Sequence, residues 1–195
     1  MRVAAIQMNS GPDVAANLEL VRRLLAEAAA DGCGLAVLPE NFALMPERGR
    51  DKAQHAEEPG DGPIQACLAE ASREHGLWVV GGSVPIVSPA IDRELVYGGC
   101  PVFDDDGQCR ALYRKIHLFD VDLVEKGESY RESNSMFAGD EPVTVRTPAG
   151  ILGLTICYDL RFPELFRRLV DDGATLFTVP AAFTVTTGEA HWHTL

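Results

Sequence analysis

The 195-residue chain has few basic side chains, 17 Lys and Arg against 29 Asp and Glu, for a net charge of -12. A deficit of that size repels a phosphate backbone or an anionic bilayer, so neither nucleic acid nor a membrane surface is an expected partner. Cysteine is sparse and odd in number: Cys33, Cys67, Cys100, Cys109 and Cys157 contain no Cys-x-x-Cys pair. That excludes a disulfide framework and a zinc ribbon, and points to a reducing, cytoplasmic setting. Long hydrophobic runs are missing too. The apolar N-terminal stretch is broken by Gln7 and Asn9 before it reaches signal-peptide length, and no later run approaches a membrane span. No Gly-Lys-Ser/Thr phosphate loop, internal repeat or low-complexity tract occurs.

What is present is an alternation of short apolar runs and helical periods. Val3 to Met8 reads as a buried strand, and Asp13 to Ala30 as a helix with Leu18, Val21, Leu25 and Ala28 on one face. Leu35 to Leu38 is a second strand, Pro63 to His75 a second helix closed by Gly76, and Leu77 to Val80 a third strand. Leu95 to Phe103 and Gln108 to Ile116 flank Asp104-Asp105-Asp106-Gly107, a hairpin signal that makes the sheet mixed. Asp120 to Glu141 is polar and predicts a long ordered loop. Val143 to Arg146, Ile151 to Ile156 and Thr175 to Val179 resume the strands, with a proline-initiated helix over Pro163 to Val170. Near the end, Ala190 to Leu195 reads as a helix just beginning. The expected class is α/β, in one domain over residues 1–195.

Three reactive side chains fall at predicted strand ends: Glu40, Lys115 and Cys157. Ligands gather outside the carboxyl ends of strands in sheets covered by helices. Cys157 precedes Tyr158-Asp159-Leu160-Arg161-Phe162-Pro163-Glu164, so a sharp strand-to-helix turn should bring N–H groups near the sulfur and favour a thiolate. Each residue also has a plain structural reading: a packed cysteine, a surface glutamate, a solvated Arg114-Lys115 pair. Cys33, Cys67, Cys100 and Cys109 sit in or beside core-like runs and read as small hydrophobes. Cys157 and Arg161 are spaced too closely for a cysteine-phosphatase loop. His191 and His193, two apart, face different sides of a helix and do not suggest a shared metal. His117, two residues after Lys115, reads as structural.

In context, the words Leu38-Pro39-Glu40-Asn41-Phe42, Tyr113-Arg114-Lys115-Ile116-His117-Leu118-Phe119-Asp120 and Ile156-Cys157-Tyr158-Asp159-Leu160-Arg161-Phe162-Pro163-Glu164-Leu165 resemble the nitrilase superfamily of carbon-nitrogen hydrolases, in order and spacing. Tyr130 to Ser135 and Thr187 to Trp192 extend the likeness toward the branch of deaminated-glutathione amidases and omega-amidases.

The resemblance implies an αββα sandwich of two mixed sheets between helical layers. It implies a Glu40-Lys115-Cys157 triad supported by Glu132, an oxyanion held by Lys115 and the Tyr158 N–H, and no cofactor or metal. It also implies a small-molecule amide substrate, most simply a 2-oxo acid amide such as deaminated glutathione, with 2-oxoglutaramate as the alternative. Arg161 is the expected carboxylate partner, with a salt bridge to Glu164 or a nearby acid as its structural alternative. Phe42, Phe183 and Thr187 are expected near the mouth. Related chains continue past the position of Leu195 and pair as homodimers, so the domain reads as incomplete at its C-terminus, with exposed strand edges. A truncated, inactive relative acting as a fragment or interaction partner is the reading from a different class.

Overall fold

The computed structural model describes residues 1–46, 48–87, 95–123 and 127–195, the side chain of Leu123 excepted. The chain opens with β1 (Arg2–Ala5), α1 (Val14–Ala30) and β2 (Cys33–Val37). Asp13 caps α1 by accepting from Ala16 N at 3.1 Å, and Leu18, Val21, Leu25 and Ala28 form its buried stripe. α2 (Pro63–His75) has the predicted bounds. It starts on a proline, whose missing N–H is harmless in a first turn, and ends at Gly76 with φ 59°. The Glu57 carboxylate closes its N-terminus by accepting from Ile64 N and Gln65 N at 2.5 and 3.0 Å.

Next come β3 (Trp78–Val80), β4 (Val84–Val87), β5 (Val96–Phe103) and β6 (Cys109–Arg114). The β5–β6 hairpin turns where predicted, with Asp104 Oδ1 accepting from Asp106 N and Gln108 N at 3.1 and 2.8 Å. The polar stretch after Phe119 departs from the predicted loop, whose residues 124–126 lie outside the described ones. It holds β7 (Asp120–Leu123), β8 (Glu128–Arg131) and β9 (Met136–Phe137). β7 and β8 pair antiparallel with Asp120 opposite Arg131, and β9 joins β5 in parallel.

One mixed sheet runs β1-β2-β3-β5-β4, with β6 and β9 also on β5. A second comprises β10 (Val143–Thr147), β11 (Gly150–Leu154) and β12 (Leu176–Thr178), with α3 (Pro163–Asp171) between the last two and α4 (Val185–His191) at the end. α4 begins before the predicted start at Ala190. Thr184 caps it, its hydroxyl accepting from Thr187 N at 3.1 Å, although Thr-Val-Thr-Thr carries a β-branched pattern that masks helix.

The period-two alternation of the strands builds two cores. Ala36, Val79, Ile86 and Phe103 face α1 and α2. Their neighbours Leu35, Val80 and Val102, with Tyr113, face Val145, Leu152, Leu154 and Ile156 of the second sheet. α3 covers the far side of that sheet through buried Leu165 and Leu169. The layers are therefore helices, sheet, sheet, helix, the αββα sandwich expected. Truncating a side chain as enclosed as Leu25 would cost about 2–5 kcal/mol. Val3, Val170, Phe177 and Val185 leave apolar surface exposed. Among the described residues no helix is long and apolar enough to cross a membrane.

Candidate active site

Among the described residues, two that are not glycine adopt a positive φ: Asn41 at 57° and Cys157 at 47°. A side chain in that region costs about 1–2 kcal/mol, and such strain concentrates at functional sites. Both residues bend the chain just beyond a strand of a different sheet. After β2, Asn41 N donates to Ser83 Oγ at 2.7 Å, and the bend turns Glu40 away from the core while Phe42 enters it. Phe42 is fully buried among the α1 and α2 contacts, which corrects its expected place at the mouth. The Glu40 segment also depends on Gly82, where a Cβ would collide with Pro39 O.

After β11, Cys157 opens a 3-10 turn over Cys157–Arg161, and its own N–H donates to Pro180 O at 2.8 Å. Tyr158 follows as the second residue of that turn, where an N–H has no acceptor within the turn. Asp159, fully buried, holds the turn in place. Its Oδ2 accepts from Tyr113 Oη at 2.7 Å and Ile156 N at 2.8 Å, and its Oδ1 accepts from His117 N at 3.0 Å and His117 Nδ1–H at 2.7 Å. His117 stacks on Phe162, centroids 3.6 Å apart, so its role is structural. One carboxylate thus fastens the segment carrying Lys115 to the turn carrying Cys157.

Lys115 is 1% exposed at the end of β6. Its Nζ lies 2.9 Å from Glu40 Oε1 and 3.0 and 2.9 Å from the two oxygens of Glu132. Burial alone would pull this ammonium down, but the two carboxylates outweigh it and hold the group above the ordinary lysine range. Glu132 is positioned by Phe119 N, which donates to its Oε2 at 2.7 Å, and Glu40 by Ala182 N, which donates to its Oε2 at 2.9 Å. The Cys157 thiol neighbours Glu40, Lys115 and the Ala182 N–H. Burial first, and then the Glu40 charge, push the thiol above its usual range, while Lys115 pulls the other way. That runs against the expected thiolate, since burial and the neighbouring Glu40 favour the protonated sulfur. The remaining thiols are unpaired, with Cys67 and Cys100 buried as expected, Cys33 half-buried, and Cys109 exposed on β6.

A cavity of about 320 Å³ opens onto Cys157, Glu40, Lys115 and Glu132. Tyr158, Arg161, Phe183 and Thr187 also line it. Arg161 Nη2 meets His191 Nδ1 at 2.9 Å, whereas Glu164 pairs with Arg167 at 3.5 Å, so the structural alternative for Arg161 does not form. Sequence reasoning missed Lys52, Asn41 and the Ala182 N–H. Lys52 lies in a 3-10 segment (Gly49–His55) with no apolar period to mark it.

The model of the carbon-nitrogen hydrolase family matches residues 2–195. Deaminated glutathione amidase of Yersinia enterocolitica is 40% identical over 193 residues, covering 99% of this chain and 66% of that protein. Omega-amidase NIT2 of Homo sapiens is 37% identical over 195 residues, covering 100% of this chain and 68% of that one. The crystal structure of the C. elegans NitFhit protein superposes with a TM-score of 0.87 at 34% identity, over 98% of this chain and 46% of that one. The chain spans between about half and two thirds of the length of these and other curated relatives it matches. With a family match over almost every residue and a shared sandwich architecture, this chain belongs to the carbon-nitrogen hydrolase family of the nitrilase superfamily.

Proposed function

We propose that the protein is an amidase that hydrolyses the carbon–nitrogen bond of a small anionic amide through a thioester on Cys157. The observation that carries this reading is the buried Lys115 ammonium, gripped by Glu40 and Glu132 next to the Cys157 thiol. Sulfur attacks the amide carbonyl as Glu40 removes its proton, so the nucleophile ionises as it reacts and need not rest as a thiolate. Negative charge develops on the carbonyl oxygen, where Lys115 and the Tyr158 N–H stabilise it; one such donor is worth about 3 kcal/mol. Glu40 returns its proton to the departing amine, leaving an acyl thioester. Water, deprotonated by Glu40, then attacks the thioester and releases the carboxylic acid, and the proton returns to sulfur. No metal or organic cofactor enters this sequence.

The lining supports an anionic substrate. In a chain of net charge -12, the cavity carries Lys52, Lys115, Arg131 and Arg161 against Glu40 and Glu132. Arg161, on the cavity lining, is the proposed partner of a carboxylate on the acyl half, because its planar fork matches carboxylate geometry. Deaminated glutathione, a 2-oxo acid amide, is the favoured substrate. The omega-amidase relatives favour a second reading, 2-oxoglutaramate. Products separate the two: a dipeptide from the first, ammonia from the second.

The test is turnover and intact-mass analysis with both amides. An acyl adduct confined to Cys157, absent in Cys157→Ala, is expected. Full turnover by Cys157→Ala would overturn the mechanism.

A further inference from the structure

The cavity contains a second lysine for which the triad chemistry has no use. Lys52 projects from the Gly49–His55 segment, which packs on the 3-10 turn carrying Glu132 (Glu132–Asn134). It lines the same cavity as Cys157. Its Nζ reaches Met136 Sδ at 3.5 Å, a weak acceptor, and among the described residues no carboxylate forms an ion pair with it.

Two other cations of the lining differ in this respect. Lys115 takes up both cavity carboxylates, and Arg131 is tied to Asp122 by bonds of 2.6 and 2.7 Å. That leaves Lys52 and Arg161 without a carboxylate partner among the described residues, and Arg161 meets only the His191 ring nitrogen and the Tyr158 face. They come from regions of the chain more than a hundred residues apart and meet at one cavity. Burial pulls the Lys52 ammonium down, against the pull of Glu132 and Glu40, so an arriving anion would relieve a desolvated charge.

We propose that Lys52 binds a carboxylate on the leaving amine while Arg161 binds one on the acyl half, so that the site selects amides with an anionic group on each side of the scissile bond. This rests on the amidase reading above and narrows it to substrates whose leaving group is an amino acid or short peptide with a free C-terminus. The lysine ends in a mobile four-carbon stem and suits a leaving group of variable length, where the planar guanidinium suits a fixed acyl carboxylate.

The experiment compares three amides of one 2-oxo dicarboxylic acid: the simple amide, the amide with a dipeptide, and the amide with the same dipeptide capped as its C-terminal carboxamide. The unaltered protein should favour the uncapped dipeptide. Lys52→Met should lower kcat/KM for that substrate alone by about 10- to 100-fold, mostly through KM, as expected for one charge-assisted hydrogen bond. The simple amide and the capped dipeptide should change less than about threefold, and Lys52→Arg should keep the preference. Arg161→Gln should impair all three. An equal loss on all three with Lys52→Met would mean that the lysine acts on the triad, and the proposal would fall. No loss on any of them, or no preference in the unaltered protein, would overturn it as well. If none of the three amides were cleaved, the amidase reading itself would fail.

Discussion

Both carboxylate oxygens of Glu132 reach the Lys115 ammonium, at 3.0 and 2.9 Å, whereas Glu40 spends only Oε1 on it. Glu132 thereby anchors the lysine and leaves the second oxygen of Glu40 to accept from the Ala182 N–H, with the Cys157 thiol beside the same carboxylate. Replacing Glu132 by Gln removes one anion and offers a single carbonyl to a buried cation. The expected outcome is a fall in kcat of about 10- to 100-fold with the fold intact, measured by steady-state kinetics alongside circular dichroism.

The state of the Cys157 thiol gives a prediction about pH. Burial and the Glu40 charge raise it and Lys115 lowers it, so the resting thiol is protonated at neutral pH. Alkylation by iodoacetamide follows the thiolate fraction and should climb with pH through the neutral and alkaline range. Glu40→Gln removes a raising influence, so the alkylation profile should move to lower pH even as turnover is lost. Lys115→Met removes the lowering influence and should move the profile upward. Identical profiles for the two variants would contradict this electrostatic picture.

Tyr113 and Asp159 offer a separate test of positioning. The Tyr113 hydroxyl donates to Asp159 Oδ2 and accepts from Ile116 N at 3.2 Å, with both Tyr113 and Asp159 fully buried. Tyr113→Phe should destabilise the fold by about 1–2 kcal/mol in urea denaturation and reduce kcat with little change in KM. Asp159→Asn should be worse, because the amide cannot accept from all four donors that the carboxylate satisfies. Tyr113→Phe with unchanged stability would remove Asp159 from its fastening role.

At Gly82 the prediction concerns backbone alone. With φ 50° and Pro39 O where a Cβ would sit, any side chain there must displace the segment holding Glu40. Gly82→Ala should therefore lower both the melting temperature and kcat, whereas Gly60→Ala, also at positive φ but with open space around it, should lower only the first.

Much of the scaffold was legible because its signals were local. α2 carries its proline at one end and its left-handed glycine at the other, and the β5–β6 turn carries Asp104 and Gly107. The misses have equally physical causes. β7 and β8 read Asp-Val-Asp-Leu and Glu-Ser-Tyr-Arg, half polar because the ribbon they form is largely solvated. β4 contains Pro85, which a strand pattern discourages, but there the carbonyl does the bonding: Pro85 O accepts from Glu57 N at 2.9 Å. In the site, position at strand ends made Glu40, Lys115 and Cys157 candidates, but only the words around them joined them into one set and added Glu132. Lys52 had no such words. Asp159 stood inside one, yet nothing in the sequence says that its carboxylate would be shared between Tyr113, His117 and the nucleophile's turn, because that sharing exists only after two sheets have packed.

The hydrogen bond from Ala182 N to Glu40 Oε2 joins residues 142 positions apart in the chain. The base that is to activate Cys157 is thus aimed by a peptide group made long after it, and after the cysteine as well. The aim of this carboxylate is therefore a property of the packed tertiary structure, set by a peptide group beyond β12 and not by anything local to Glu40.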